Sequence, residues 1–222
     1  MLSKPIILVV GHPHSMTSMI AKFLLDNGAV TGEDLINENL KNIKYPRYED
    51  RSFVQVVRDM TKFKKIDKEA LTAYLEQFPK NENILLKAPM GAFFIDTILD
   101  CVKGRPVKVV YVLRNPADVI KSSIEKGSPQ KNFMSYFHRW CDMYMACTDY
   151  EDLLPFMAER IYQDGRRLLD FCDLPRDDIN FDSVKLRKRH TTFLKHRIKN
   201  FWWKRLYTFL QEKVEGQSEV DD

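Results

Sequence analysis

The sequence predicts an α/β fold, a three-layer α/β/α arrangement with a central parallel sheet. Three observations carry that prediction. Apolar runs at Lys4 to Val10, Asn83 to Ala88 and Val107 to Leu113 read as buried strands, because branched and other apolar side chains dominate each of them. After each run, apolar residues return at helical spacing, and a strand followed by a helix, repeated, implies parallel strands covered on both faces. The first run stops at Gly11 and meets a polar turn, Gly11-His12-Pro13-His14-Ser15-Met16-Thr17-Ser18, before its helix. In such a unit the loop N–H groups and the helix N-terminus converge on one spot, which is an anion site. Ser15, Thr17 and Ser18 can add hydroxyl donors there, and His14 a proton or a positive charge. The bland alternative is a buried first strand with an ordinary polar turn.

Taken in order, Asn27-Gly28 ends the first helix with a C-cap signal, and Ala29 to Gly32 reads as a short extended link. Glu33 to Leu40 reads as a further helical turn. Asn42 to Asp50 is polar and aromatic, and Pro46 argues against a helix through it, so it is expected to be a loop over the anion site. Phe53, Val56, Val57 and Met60 mark one helix from Asp50, and Leu71, Tyr74, Leu75 and Phe78 another from Asp67, closed by Pro79. Pro89 opens the helix after the second strand, with Phe93, Phe94, Ile98 and Leu99 along it. Beyond the third strand, Asn115 and Pro116 suit an N-cap and first helical position, so Val119 to Glu125 is expected to be helical. Asn132 to Tyr150 reads as a long aromatic-rich helix, Phe156 to Tyr162 as another strand, and Arg166 to Phe171 as a helix ended by Leu174-Pro175.

The length of 222 residues fits one well-buried domain, taken as residues 1–214, with 215–222 as a disordered acidic tail. The net charge of +4 does not by itself call for a polyanionic partner. The four cysteines, Cys101, Cys141, Cys147 and Cys172, have no C-x-x-C spacing and read as reduced thiols. The apolar stretch after Lys4 is too short for a signal peptide or a membrane span. The expected location is therefore cytoplasmic. A plain ATPase or GTPase is disfavoured, since no Gly-Lys-Ser/Thr ends the first loop.

Two motifs resemble those of the sulfotransferases that use 3′-phosphoadenosine 5′-phosphosulfate. The turn from Gly11 to Ser18 is similar to the family's 5′-phosphosulfate loop, and Arg114-Asn115-Pro116-Ala117-Asp118-Val119-Ile120-Lys121-Ser122 is similar to its 3′-phosphate motif. Weaker echoes lie in Tyr45 to Asp50, in Leu86-Lys87-Ala88-Pro89, and in Tyr162-Gln163-Asp164 through Pro175. The chain departs from the family pattern at His14, where Lys or Arg is usual, and at Met16, where Gly is usual. The glycine-rich C-terminal segment of the cytosolic animal enzymes is missing, and Leu186 to His190 resembles a basic segment of bacterial relatives instead.

The resemblance implies a P-loop-like phosphosulfate loop formed by His12, Pro13, His14, Ser15, Met16, Thr17 and Ser18. It places Arg114, Ser122, Arg187 and Arg189 on the rest of the nucleotide. The implied reaction is transfer of a sulfuryl group from that co-substrate to a hydroxyl or amine of a small-molecule or carbohydrate acceptor, with no metal. Glu49 is the first choice for the base that takes the acceptor's proton, with His12 and His14 behind it; the alternative for Glu49 is a cap on the next helix. Lys87 is expected to hold the transferred group or an acidic acceptor, and otherwise is a solvated lysine at a strand end. Arg114 and Ser122 could instead be a helix-capping cluster. The basic, aromatic-studded stretch from Lys185 to Arg205 could close over the nucleotide, attract an anionic acceptor or form a solvated face; nucleic acid is disfavoured as its partner. A non-catalytic nucleotide-binding descendant and a small-molecule kinase remain as other classes. Acceptor identity and oligomeric state are not legible in the residues.

Overall fold

Alternation along the first strand decides the layers. In β1 (Ile6–Val10) every residue is buried, and successive side chains must point to opposite faces, so a sheet with this strand inside it needs cover on both sides. The computed structural model describes residues 3–36, 48–63, 67–102, 104–115, 118–119, 122–123, 141–148, 150–182 and 184, with 60–63 described in backbone only. β2 (Ile84–Lys87), β3 (Val107–Leu113) and β4 (Leu153–Met157) join β1 in a four-stranded sheet of order β2-β1-β3-β4. All three pairings are parallel. In register, Val9 stands opposite Lys87 on one side and Val110 on the other.

Ile6, Leu8 and Val10 face one core, closed by α2 (Arg51–Phe63), α3 (Lys68–Glu76) and α4 (Ile95–Cys101), with Phe53, Leu71, Ile95 and Ile98 packed in it. Ile7 and Val9 face the other, closed by α1 (Thr17–Asp26) and α5 (Ile161–Phe171) through Ile20, Phe23, Leu24, Ile161 and Leu168. This is the expected α/β/α sandwich. Each fully buried aliphatic or aromatic side chain here contributes about 1.5–3 kcal/mol relative to exposure.

Several details depart from the sequence reading. The described part of the 33–40 segment is not helical: Leu35 bridges Asp50 in antiparallel fashion, Ile36 N–H donates to Glu49 O at 2.8 Å and Arg51 N–H to Asp34 O at 2.8 Å. Backbone partners across the loop replace the local helical ones. The fourth strand is Leu153–Met157 rather than Phe156 to Tyr162, and α5 begins at Ile161 rather than Arg166. Pro155 hides the strand from a propensity reading, yet β4 is an edge strand, where a missing N–H is tolerated. Gly165 hides the helix, but a Cβ there would meet the Phe181 and Phe23 rings at 3.1–3.2 Å, so close packing demands it.

Other expectations agree. Asn27 and Gly28 close α1, and Val30 pairs beside Ile84 as the extended link. The stretch after β2 winds first as a 3-10 turn, Pro89–Phe94, before α4. Residues 118–119 and 122–123 are helical, as expected; 141–145 are helical too, but the chain turns at 146–148, so the helix stops short of the expected Tyr150, whose hydroxyl donates to Val107 O at 2.7 Å. Residues 132–140 of the expected aromatic helix, the basic stretch from Lys185 onward and the acidic tail lie outside the described residues. Among the described residues no helix is long and apolar enough to cross a membrane.

Candidate active site

The loop after β1 is shaped by backbone contacts before any side chain acts. Gly11 has φ of 143°, and a Cβ on it would sit 2.7 Å from Val112 O of β3, so only glycine lets the chain leave the sheet this close to its neighbour. His12 is buried, and its Nδ1 donates to Pro13 O at 2.6 Å. A carbonyl only accepts, so Nδ1 carries the proton and, in the neutral ring, Nε2 is the basic nitrogen. Ser15 N–H donates to His12 O at 3.0 Å and closes the turn.

Two non-glycine residues then take left-handed backbone, His14 at φ 73° and Met16 at φ 71°. Each costs about 1–2 kcal/mol relative to the ordinary right-handed form. Glycine, usual at this position in the enzymes the sequence resembles, would relax this strain, yet Met16 adopts the conformation regardless. Met16 is also the N-cap of α1 and offers no side-chain acceptor. Met19 N–H donates to Met16 O at 2.9 Å, which leaves the Thr17 and Ser18 N–H groups, among the described residues, to a ligand or to water, with the helix dipole behind them. Ser15 Oγ, fully buried, has no hydrogen-bond partner among the described residues. An orphaned buried hydroxyl at the mouth of a ten-residue helix is a fitting seat for an anion. Pro13, Thr17 and Ser18 complete this loop and first turn, with Thr17 buried and Ser18 half-buried.

The end of β3 meets the same loop. Arg114 Nη1 donates to His14 O at 2.8 Å, although the two residues lie a hundred positions apart. Beside it, Asn115 N–H donates to Glu159 Oε1 at 3.2 Å, and Asn115 O accepts from Asp118 and Val119 N–H at 3.0 and 3.1 Å. Asn115 thus opens the helical stretch on which Ser122 lies half-buried.

At the end of β2, Lys87 Nζ donates to Glu49 Oε1 at 2.5 Å, with both residues at least nine-tenths buried. Lys87 is therefore no solvated lysine. Nor does Glu49 cap α2: that task falls to Asp50, whose Oδ1 accepts from Phe53 N–H at 3.0 Å. Lys87 follows Leu85 in the alternation, so it lies on the α1 face of the sheet. Burial leaves this pair strongly dependent on each other, since neither charge has water to fall back on.

The structure thus brings together Glu49 with Lys87, and His14 with Arg114, four residues marked in the sequence. Arg187 and Arg189 lie outside the described residues. Sequence reasoning missed Glu159, whose signal was only a polar residue just past a hidden strand, and it gave Asp50 no capping role although Asp is a common N-cap.

In an open parallel sheet ligands bind in the crevice outside the carboxyl ends of the strands, which is where the loop after β1 lies. Among solved structures, the chain is similar to the sulfotransferase domain of the Synechococcus PCC 7002 olefin synthase, at 15% identity over 84% of this chain and 79% of that one, with a TM-score of 0.54. It is also similar to a sulfotransferase from Alicyclobacillus acidocaldarius, at 11% identity over 84% and 87% of the two chains, with a TM-score of 0.50. The chain has the sulfotransferase fold. A sugar kinase from Janibacter sp. HTCC2649 aligns at 15% identity over 77% of this chain and 95% of its own, with a TM-score of 0.46 that supports no argument about shared chemistry. No family model and no curated protein matches the sequence.

Proposed function

We propose that this protein is a sulfotransferase that binds 3′-phosphoadenosine 5′-phosphosulfate and passes its sulfuryl group to a hydroxyl or amine of a small-molecule or carbohydrate acceptor. The single observation that carries the proposal is the orphaned, buried Ser15 hydroxyl at the mouth of α1, in a loop gripped by Arg114. The co-substrate supplies an activated sulfuryl group when bound. The loop from His12 to Ser18 binds the phosphosulfate end through N–H and hydroxyl donors, and Arg114, Ser122, Arg187 and Arg189 are assigned to the nucleotide's other end. His14 stands where a permanent cation is usual, so its imidazolium form is the one suited to the charge that develops there.

Glu49 is assigned as the base for the acceptor's proton. Its carboxylate already holds the Lys87 ammonium at 2.5 Å, so it must share or release that partner as it takes the proton. Lys87 is assigned to face the negative charge of the transferred group. A cytoplasmic location is supported by four cysteines that form no disulfide.

The test is calorimetric titration with 3′-phosphoadenosine 5′-phosphate against 5′-AMP and ATP. Micromolar binding that needs the 3′-phosphate supports the proposal; preference for ATP with magnesium overturns it in favour of a kinase. Binding without transfer to any hydroxyl or amine in an acceptor screen marks a nucleotide-binding descendant instead. Glu49→Gln is expected to lower turnover by at least tenfold while leaving nucleotide affinity within about threefold, and unchanged turnover removes Glu49 as the base.

A further inference from the structure

We infer that Arg114 is a positioning residue for the anion loop, setting the shape of the site that receives the 5′ end of the nucleotide as well as serving its other end. The inference rests on the proposed function for the nature of the ligand, but its structural basis is independent. His14 O accepts from Arg114 Nη1 at 2.8 Å, and Ser15 N–H, the other polar end of the same peptide unit, donates to His12 O at 3.0 Å. A peptide unit is planar, so fixing its carbonyl and its N–H fixes its orientation.

That orientation has two consequences. The His14 carbonyl is turned toward a guanidinium and cannot point its negative end at an incoming anion. His14 is held at φ 73°, in the sparsely populated left-handed region, and Met16 follows two residues on at φ 71°. The buried Ser15 hydroxyl lies between these two strained residues, so its place at the mouth of α1 is set by both. β3 and the residue that follows it brace the loop at two points, Val112 O against Gly11 and Arg114 against His14.

The experiment is a double-mutant cycle read with two probes, 3′-phosphoadenosine 5′-phosphate and inorganic pyrophosphate, which has no nucleoside and no 3′-phosphate. Arg114→Ala is expected to weaken both, pyrophosphate by at least tenfold. In a His14→Gly background, where glycine takes a positive φ unaided, Arg114→Ala is expected to weaken pyrophosphate less than threefold while still costing the nucleotide its 3′-phosphate preference. Glycine restores no charge, so that relief cannot come from electrostatics. Unchanged pyrophosphate affinity in Arg114→Ala overturns the inference and leaves Arg114 a nucleotide ligand only. An equal loss in both backgrounds also overturns it, assigning Arg114 to direct contact. If the wild-type protein binds pyrophosphate but not the nucleotide, the proposed function fails and the cycle still decides the role of Arg114; if it binds neither, both fall.

Discussion

A lysine ammonium and a glutamate carboxylate at 2.5 Å, both shielded from water, stabilise each other only while both are present. Lys87→Met leaves Glu49 buried without its counter-charge and is expected to cost about 3–5 kcal/mol of unfolding free energy. Glu49→Gln combined with Lys87→Met removes both charges and is expected to recover most of that loss. Urea denaturation of the two single variants and the double variant measures the coupling, and strictly additive losses would show that the pair carries none. Both residues were legible as polar positions at the expected cleft; their partnership was not, because nothing in the sequence links two residues thirty-eight positions apart. The same is true of Arg114 and His14. The strain at Met16, by contrast, was legible through the resemblance, which sets a glycine where Met16 stands, and Met16 takes φ 71°.

Among the elements, β1, β2 and β3 were legible because burial on both faces makes each a nearly continuous apolar run, in which Lys87 at the end of β2 and Lys108 near the start of β3 are single exceptions. β4 and the start of α5 were hidden by Pro155 and Gly165, residues whose cost is offset by an edge position and by a ring packed against the helix. At the start of α2 the sequence left open whether Glu49 caps the helix, and the structure gives the cap to Asp50. Asp50→Ala is accordingly expected to cost about 1 kcal/mol, while Asp50→Asn, which keeps a capping oxygen, costs a few tenths at most. Chemical denaturation of the two variants checks this. Equal losses would mean that the charge of Asp50, which lies near the buried Tyr74 hydroxyl, matters more than the cap.

Across the whole molecule, protonated thiols and phenols among the described residues lie in or against both cores, and their titration ties stability to pH. Burial pushes the Cys147 thiol from 9.0 up to about 12, and the Tyr150 phenol to about 12 with help from Asp152 and Glu151. Burial likewise raises Cys172, with Asp173 adding to it, and Tyr111 and Tyr74. In each case the unfolded chain gives up its proton at the ordinary value while the folded chain keeps it. The folded state then binds more protons, so unfolding free energy must fall as pH rises. The contribution is intact below about pH 8.5, the ordinary thiol range, and is lost progressively as pH climbs through 9 toward 12. The melting temperature is therefore expected to hold from pH 7 to 8.5 and then decline steeply by pH 11. Cys147→Ala, which has no proton to lose, should shift the whole curve down at neutral pH through lost packing yet flatten its alkaline slope. A wild-type melting temperature that stays constant to pH 11 would mean that these groups meet water in the folded protein and that the two cores are not closed around them.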